Sequence, residues 1–420
     1  MDAWSGVTFS RPLRCVQFFA VGVTAVLAIS ACTPTLNLTT APMDTDPEVE
    51  IRASPSTGAP VDPDVPIQFE ATSGILTDVS VTGPEGAVAG VLSEDGSQWT
   101  STSGTLAYSA TYTLEATGSD SRGRTQTLMD SFSTIEPEKF FTAKVSPADG
   151  QEVGVGLPIV VTFNKKVENR AEVEQAIAVR TTTPILGAWS WASDRVVEFR
   201  PKDLWPGGTQ VQVDLNLTGV EATTGVFGKR DLQTSFTFRS ALVSVVDAQT
   251  HTMDVFRDGE FIRSIPVTTG KPGFETRSGT KVLLTKERSR IMDAATLGTS
   301  PSDPEYYRLN AEYAMRLNYT GEFVHAAPWS TGSQGSDNVS HGCVGLSTEN
   351  AQWWWNENNI GDVVIVKNTA REQGNDGNGI TVWNESWSDW LSRSVTGAQF
   401  TNLLPAQVPA IDPEVSVTGS

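Results

Sequence analysis

Residues 323–355 read FVHAAPWSTGSQGSDNVSHGCVGLSTENAQWWW, and the organisation of the chain around them follows from how this stretch divides. Glu322, Phe323, Val324 and His325 form an apolar, strand-like segment that ends in a histidine. A loop rich in Gly, Ser and Asn follows, and then the compact string Ser340, His341, Gly342, Cys343. Ser347 or Thr348 caps a helix rich in Asn and Trp that ends near Asn359, with Gly361 just beyond it as a stop. Asp362 to Lys367 reads as the last strand of the unit.

Upstream of this stretch the pattern is long paired strands. Leu242 to Asp247 is followed by Thr252 to Arg257 and Glu260 to Val267, with Asp258 and Gly259 supplying a hairpin turn. Thr280 to Leu284 predicts a strand and Pro304 to Met315 a short helix. Residues 241–368 are therefore a mostly β domain with one main helix.

Two further units precede it. From 51 to 138, short alternating segments (Pro66 to Phe69, Val79 to Val81, Ala107 to Ala116, Thr125 to Ser133) are separated by Gly, Ser, Asp and Pro, the pattern of a small antiparallel sandwich. Tyr108, Tyr112 and Leu114 share its even spacing, and Trp99 is a candidate core plug. From 139 to 240 a second sandwich carries strands at Ile159 to Phe163, Val196 to Arg200, Val211 to Leu217 and Gln233 to Phe238, with a short helix from Asn169 to Ile177. Neither shows a convergent polar cluster, so spacing is the role expected of both. After Asn368, residues 369–420 form an extension in which Trp383, Trp387 and Trp390 fall on one helical face, expected to pack onto the protein itself; the Pro-rich tail from Thr401 is expected to fray.

At 420 residues the chain is long enough for several domains. Its 30 Lys and Arg stand against 49 Asp and Glu, a net charge of −19 that would repel nucleic acid. With only 3 His and 3 Cys, a multi-ligand zinc site or a disulfide framework has little to be built from.

Arg11 and Arg14 precede an apolar run from Val16 to Ile29 that is too short for a membrane span of about 20 residues and fits the core of an export signal. The run closes on Ile29, Ser30, Ala31, Cys32, which resembles a bacterial lipobox. The expectation is a lipoprotein signal peptide at 1–31, lipid on Cys32, a flexible tether at 32–50, and a protein exported and anchored to the outer face of the cell membrane, facing the wall. Cys15 then leaves with the signal, so Cys343 is a lone thiol in an oxidising compartment.

A thiol with an ordinary pKa of about 8.5 is mostly protonated at neutral pH and needs help to react. An imidazole supplies it, as a base or as the imidazolium of an ion pair. His325, eighteen residues before Cys343, can approach the sulfur across a sheet; His341 is two residues away and can instead shape the loop. His251, in the first hairpin, reads as a surface residue. Gly342 allows close backbone approach, and the N–H groups around Gly342 and Cys343 could hold an oxyanion. The expected chemistry is acyl transfer through a thioester. Metal binding by Cys343 and two His lacks a carboxylate spaced to complete it.

The segment from Phe323 resembles the active-site stretch of the L,D-transpeptidases, whose signature is a His followed after a spacer by Ser-His-Gly-Cys. The hairpin from Leu242, Thr269-Gly270-Lys271, Ile291-Met292-Asp293 and the Trp-bearing extension are similar to lipoprotein members with two immunoglobulin-like modules before the catalytic domain. The resemblance implies Cys343 as the nucleophile that attacks the peptide bond after the meso-diaminopimelate residue of a peptidoglycan stem tetrapeptide, releasing D-Ala. It implies His325 as general base, oriented by the Ala326 carbonyl, and Ser340, His341 and Gly342 as motif positions that place the thiol and line the oxyanion hole. Tyr307 matches an aromatic of the lid over the donor pocket, and Thr320 and Gly321 match backbone contacts to the donor. Passage of the acyl group to a second diaminopimelate amine would make a 3→3 cross-link, with no cofactor, and β-lactams could acylate the same thiol.

One position departs from the family pattern: Gly345 stands where Asn or Arg is usual, so altered donor anchoring is expected there. The loop Glu221 to Gly228 resembles a stretch that holds calcium in relatives, but Thr224 replaces an acid and no metal is expected. Two rivals share the residues: an L,D-carboxypeptidase with water as acceptor, and a non-catalytic wall-binding lipoprotein. Papain-like peptidases place Cys before His, the reverse of the order here.

Overall fold

The computed structural model describes residues 48–102 and 104–405. The expected signal segment, Cys32, the tether up to residue 47 and the tail from 406 lie outside the described residues.

The chain is mainly β, as its patterning predicts. In the first module a sheet of Glu50–Ser54, Gln68–Thr72, Gln98–Ser101 and Gly90–Leu92 faces a second one of Gly86–Ala87, Ile75–Gly83, Thr111–Ser119 and Thr125–Ser133. Trp99 does plug the core, edge-on to Phe69 at 5.7 Å, and Tyr112 and Leu114 are buried beside them. Tyr108 breaks that even-numbered pattern. Its hydroxyl reaches the second module, accepting from the Gly219 amide at 2.7 Å and donating to the Gly228 carbonyl at 2.8 Å. A tyrosine with an apolar body and a polar tip suits such a junction.

The second module packs its two five-stranded sheets around Trp189, Trp205, Phe163, Phe199 and Phe238. Its edges are completed from far along the sequence: Gln399–Phe400 pairs with Leu186–Trp191, and Asn402–Leu403 with Ile177–Thr181. Thr401 is buried between them and hydrogen-bonds to the Ile185 amide, so the chain is held in place at the point where fraying was expected to begin. Edge pairing supplies the order that the Pro-rich composition argued against.

Trp383, Trp387 and Trp390 do not share one helix: the first lies in a single turn, Val382–Asn384, and the others in the short helix Trp387–Leu391. They converge on the second module all the same. The buried Arg200 guanidinium sits 5.1, 5.2 and 4.8 Å from the three ring centroids, and the Trp390 indole donates to the Ala188 carbonyl. Desolvation of this kind strengthens cation–π attraction.

The third unit has two sheets. One runs Glu260–Pro266, Thr252–Arg257, Leu242–Asp247, Val363–Lys367, Gly279–Val282; the other runs Thr285–Asp293, Arg308–Arg316, Phe323–Ala326, Val344–Leu346. Asp258 and Gly259 both take positive φ, 51° and 85°, as a two-residue hairpin turn demands. The main helix, Thr348–Glu357, is capped by Ser347 and buries Trp354, whose indole donates to Ser244 at 2.8 Å.

The helix expected at Pro304 to Met315 is instead the strand Arg308–Arg316, paired along its length with Thr285–Asp293. Its Leu, Ala, Glu and Met are good helix formers, but Ala311, Tyr313 and Met315 repeat every second residue and are buried. Sheet pairing overrides propensity there.

Candidate active site

The parallel pairing of Phe323–Ala326 with Val344–Leu346 sets Val324 beside Val344 and His325 beside Gly345. Val324, Ala326, Val344 and Leu346 enter the core. Strand alternation therefore turns Phe323, His325, Cys343 and Gly345 to the opposite face. This one register brings His325 and Cys343 to the wall of a single cavity of about 270 Å³, lined also by Met292, Tyr307, Trp329 and Thr268.

His325 is buried, and its Nδ1–H donates to the Ala326 carbonyl at 2.7 Å, which fixes the tautomer and leaves Nε2 with its lone pair. Burial holds its pKa below the ordinary 6.5. Burial likewise pushes the Cys343 thiol up to about 12, opposed only in part by a hydrogen bond from the Phe323 backbone. Its Sγ–H points to the Gly321 carbonyl, 3.6 Å away. Burial thus favours the neutral form of both groups, thiol and imidazole.

Ser340 ties the motif into a turn: its hydroxyl donates to the Cys343 carbonyl at 2.6 Å and accepts from the Gly342 amide at 3.1 Å. That second bond occupies one of the two N–H groups expected to face an oxyanion. Gly342 takes φ 117°, which only glycine adopts without strain, and its carbonyl accepts from the buried Thr276 hydroxyl. Lys271 N–H donates to the Ser340 carbonyl, and the Ser340 amide to that of Thr269, fixing the motif against the Thr269–Lys271 segment.

His341 is not turned to the sulfur. Its Nε2 lies 2.7 Å from Glu305 Oε2, the same oxygen that Lys271 Nζ contacts, and its ring packs between Phe274 and Tyr307 at 4.8 and 4.9 Å. The hydrogen bonds from Lys271 and His341 hold the Glu305 carboxyl below the usual carboxylate range. Sequence reasoning missed Glu305, an acid in an unpatterned loop with no motif around it. His251 is also more tied in than a surface residue: its Nδ1 is 3.0 Å from Asn338 Oδ1, an oxygen that also accepts from Thr269.

Tyr307 closes one side of the cavity, and burial raises its hydroxyl to about 12, so it stays a phenol. Thr320 and Gly321 line a separate cavity of about 550 Å³, which shares Tyr307 and His341 with the first. Behind Cys343, the buried Glu322 pairs with Lys281 at 2.7 Å and with Arg277 at 2.8 Å.

Gly345 bonds to Thr268 in both directions, N–H to carbonyl at 2.9 Å and carbonyl to N–H at 3.1 Å. A Cβ on it would meet Thr268 Cγ2 at 2.9 Å and Ala327 Cβ at 3.1 Å. The crowding is thus at the first carbon of any side chain placed on this cavity-lining position. Among the described residues no three His, Cys, Asp or Glu come together as a metal site.

Residues 242–366 match the L,D-transpeptidase catalytic domain family, and residues 58–221 match the bacterial Ig domain family. L,D-transpeptidase 2 of Mycobacterium tuberculosis (strain CDC 1551 / Oshkosh) is 37% identical over 318 residues, which span 76% of this chain and 78% of the relative. The chain belongs to the L,D-transpeptidases. It is accordingly a transpeptidase-class acyltransferase. L,D-transpeptidase 5 of Mycobacterium tuberculosis (strain ATCC 25618 / H37Rv) is 32% identical, over 75% of this chain and 70% of its own. Among solved structures, an L,D-transpeptidase from Mycobacterium smegmatis is 37% identical, covering 54% of this chain and 97% of that one with a TM-score of 0.45. A second, described as LD transpeptidase in complex with imipenem, is 38% identical, covering 53% and 97% with a TM-score of 0.46.

Proposed function

We propose that this L,D-transpeptidase forms 3→3 cross-links in peptidoglycan through a thioester on Cys343. The observation that supports it best is the shared cavity wall of Cys343 and His325, with His325 Nδ1 tied to Ala326 so that Nε2 is the free base.

Cys343 Sγ attacks the carbonyl of the diaminopimelate residue in a donor tetrapeptide while His325 Nε2 takes the thiol proton. Gly342 N–H is engaged by Ser340, so the Cys343 amide is the backbone donor for the oxyanion in this turn. Collapse breaks the amide bond, and His325 returns its proton to the departing D-Ala amine. The side-chain amine of a second diaminopimelate then attacks the thioester, losing a proton to His325, and Cys343 leaves as the thiol. The sum is one cross-link made and one D-Ala released, with no cofactor. A β-lactam carbonyl offers the same electrophile, and its ring opening would leave Cys343 acylated. Export and lipid attachment at Cys32 belong to the same proposal, since both substrates lie outside the membrane. Labelling with an alkyne fatty acid that fails to reach the Cys32→Ala protein, but reaches the unaltered one, would support the anchor.

The test of the chemistry incubates the protein with purified disaccharide tetrapeptide and follows products by mass spectrometry beside Cys343→Ala. A Cys343-dependent dimer lacking one D-Ala supports the proposal. Tripeptide without dimer makes the enzyme a carboxypeptidase, and no product with no acyl-enzyme favours a wall-binding role.

A further inference from the structure

Two lines of hydrogen bonds run from the C-terminal extension into the turn that faces the nucleophile. In the first, Asn378 clamps Thr320 from both sides: its Oδ1 accepts from the Thr320 amide at 3.0 Å, and its Nδ2 donates to the Thr320 hydroxyl at 2.9 Å. The next residue is Gly321, whose carbonyl accepts from Cys343 Sγ–H and whose φ of 103° marks a turn with no intrinsic preference for this shape. In the second, Gln373 reaches Lys281 at 3.3 Å, and Lys281 pairs with Glu322, the residue after Gly321. Asp376 joins the two lines by accepting from Gln373 Nε2 and from the Asn378 amide at 2.9 and 3.0 Å.

We propose that Asn378 is a positioning residue for acyl transfer: by clamping Thr320 it fixes the Gly321 carbonyl that orients the Cys343 thiol. The side chain acts through the turn and does not touch the sulfur. The same extension is anchored on the second module by Trp383, whose indole donates to the Gly156 carbonyl at 2.7 Å, and by the Arg200 contacts. The turn beside the nucleophile is therefore braced by a segment from outside the catalytic domain. The turn closes on itself through Leu317 N–H to the Glu322 carbonyl and Glu322 N–H to Asn318 Oδ1, both 2.9 Å, and Asn378 adds the bonds at Thr320, next to the glycine; displacements of about an ångström at a reacting group cost orders of magnitude in rate.

The inference rests on Cys343 being the nucleophile, so the full-length unaltered protein must first acylate with a carbapenem, seen as a mass gain absent from Cys343→Ala. Failure of that step, with no acyl-enzyme from disaccharide tetrapeptide either, defeats the functional reading. Given that step, three variants are compared by stopped-flow acylation and by melting temperature. Asn378→Ala is expected to slow acylation about ten-fold at saturating carbapenem, leaving the concentration for half-maximal rate little changed. Asn378→Asp keeps the oxygen that accepts from the Thr320 amide and puts a second oxygen in place of Nδ2, to which the Thr320 hydroxyl can turn and donate, and is expected to restore most of the rate. Asn384→Ala breaks bonds of the same extension to Thr280 without touching Thr320, and is expected to acylate normally. Wild-type acylation by Asn378→Ala overturns the proposal. Equal slowing in Asn378→Asp, or in Asn384→Ala, overturns it too, because the effect would then come from loosening the extension as a whole.

Discussion

The Nδ1–H of His325 is donated to the carbonyl of Ala326 at 2.7 Å, so the imidazole is aimed by backbone, and no acidic side chain is required as a third member. A carbonyl orients the ring without carrying the charge that would stabilise an imidazolium, and burial disfavours that charge further.

A pH profile follows from the two shifts. His325 lies below 6.5, so the base is lost only as the pH falls through that lowered value; Cys343, pushed up to about 12, stays a thiol throughout the usual range. Acylation is expected to stay level from about pH 7 to 9 and to fall only in acid, below the ordinary histidine value of 6.5. A rate that climbed about ten-fold per unit between pH 7 and 9 would mean that free thiolate is the reactant, contrary to this arrangement. His325→Gln is expected to reduce acylation by about 10²–10⁴ across the level range, the gap closing at low pH where His325 of the unaltered protein is itself protonated.

His341 faces Glu305 at 2.7 Å, and its substitution should tell a different story. His341→Gln retains a donor toward Glu305 and is expected to keep acylation within about ten-fold of wild type, far above His325→Gln. Parity between the two variants in single-turnover acylation would require His341 to handle the proton.

Gly345 was expected to weaken donor anchoring by lacking a side chain, and the packing adds a steric reason for keeping it. Gly345→Asn puts a Cβ 2.9 Å from Thr268 Cγ2 and should cost about 1–3 kcal/mol, read by thermal or urea unfolding. Thr268→Ser removes that methyl while keeping the hydroxyl that donates to Asp337 and accepts from Val339. The double variant is expected to recover much of the loss. If Gly345→Asn alone is as stable as wild type, the cavity floor is softer than these contacts imply.

Legibility in the sequence tracked locality. Asp258-Gly259, the Ser347 cap and the Ser340 to Cys343 string are decided by neighbours a few residues apart, and each was readable, as was His325 at the end of its own short strand. Arg308–Arg316 was misread because its composition favours helix while its partner strand lies across an intervening loop. Tyr108 was misplaced for the same kind of reason, since its hydroxyl is satisfied by a different module. The site divides likewise. Cys343 and His325 stand in a motif, whereas Glu305, Thr276 and Asn378 reach it from 36 to 66 residues away through side-chain bonds that leave no periodic trace.

Asp362 offers a stability test with a definite sign. It is buried at the junction with the second module, its Oδ2 accepting from the Asn359 amide at 2.7 Å while Oδ1 has no partner among the described residues. Burial raises its pKa from 3.8 to about 7, against the pull of Arg239, Lys286 and Arg257. Below pH 3.8 the carboxyl is protonated in folded and unfolded chains alike, and its contribution to stability is fully present. As the pH rises from 3.8 to about 7 the unfolded chain ionises first, so stability falls, and above 7 the loss is complete. Asp362→Asn fixes the uncharged form. It should match wild type near pH 4 and exceed it at pH 8 by about 1–3 kcal/mol in urea unfolding of the catalytic domain. A variant weaker than wild type at pH 8 would mean that the three cations stabilise the ionised carboxylate in the folded chain and hold its pKa below 3.8, which reverses the sign of the argument.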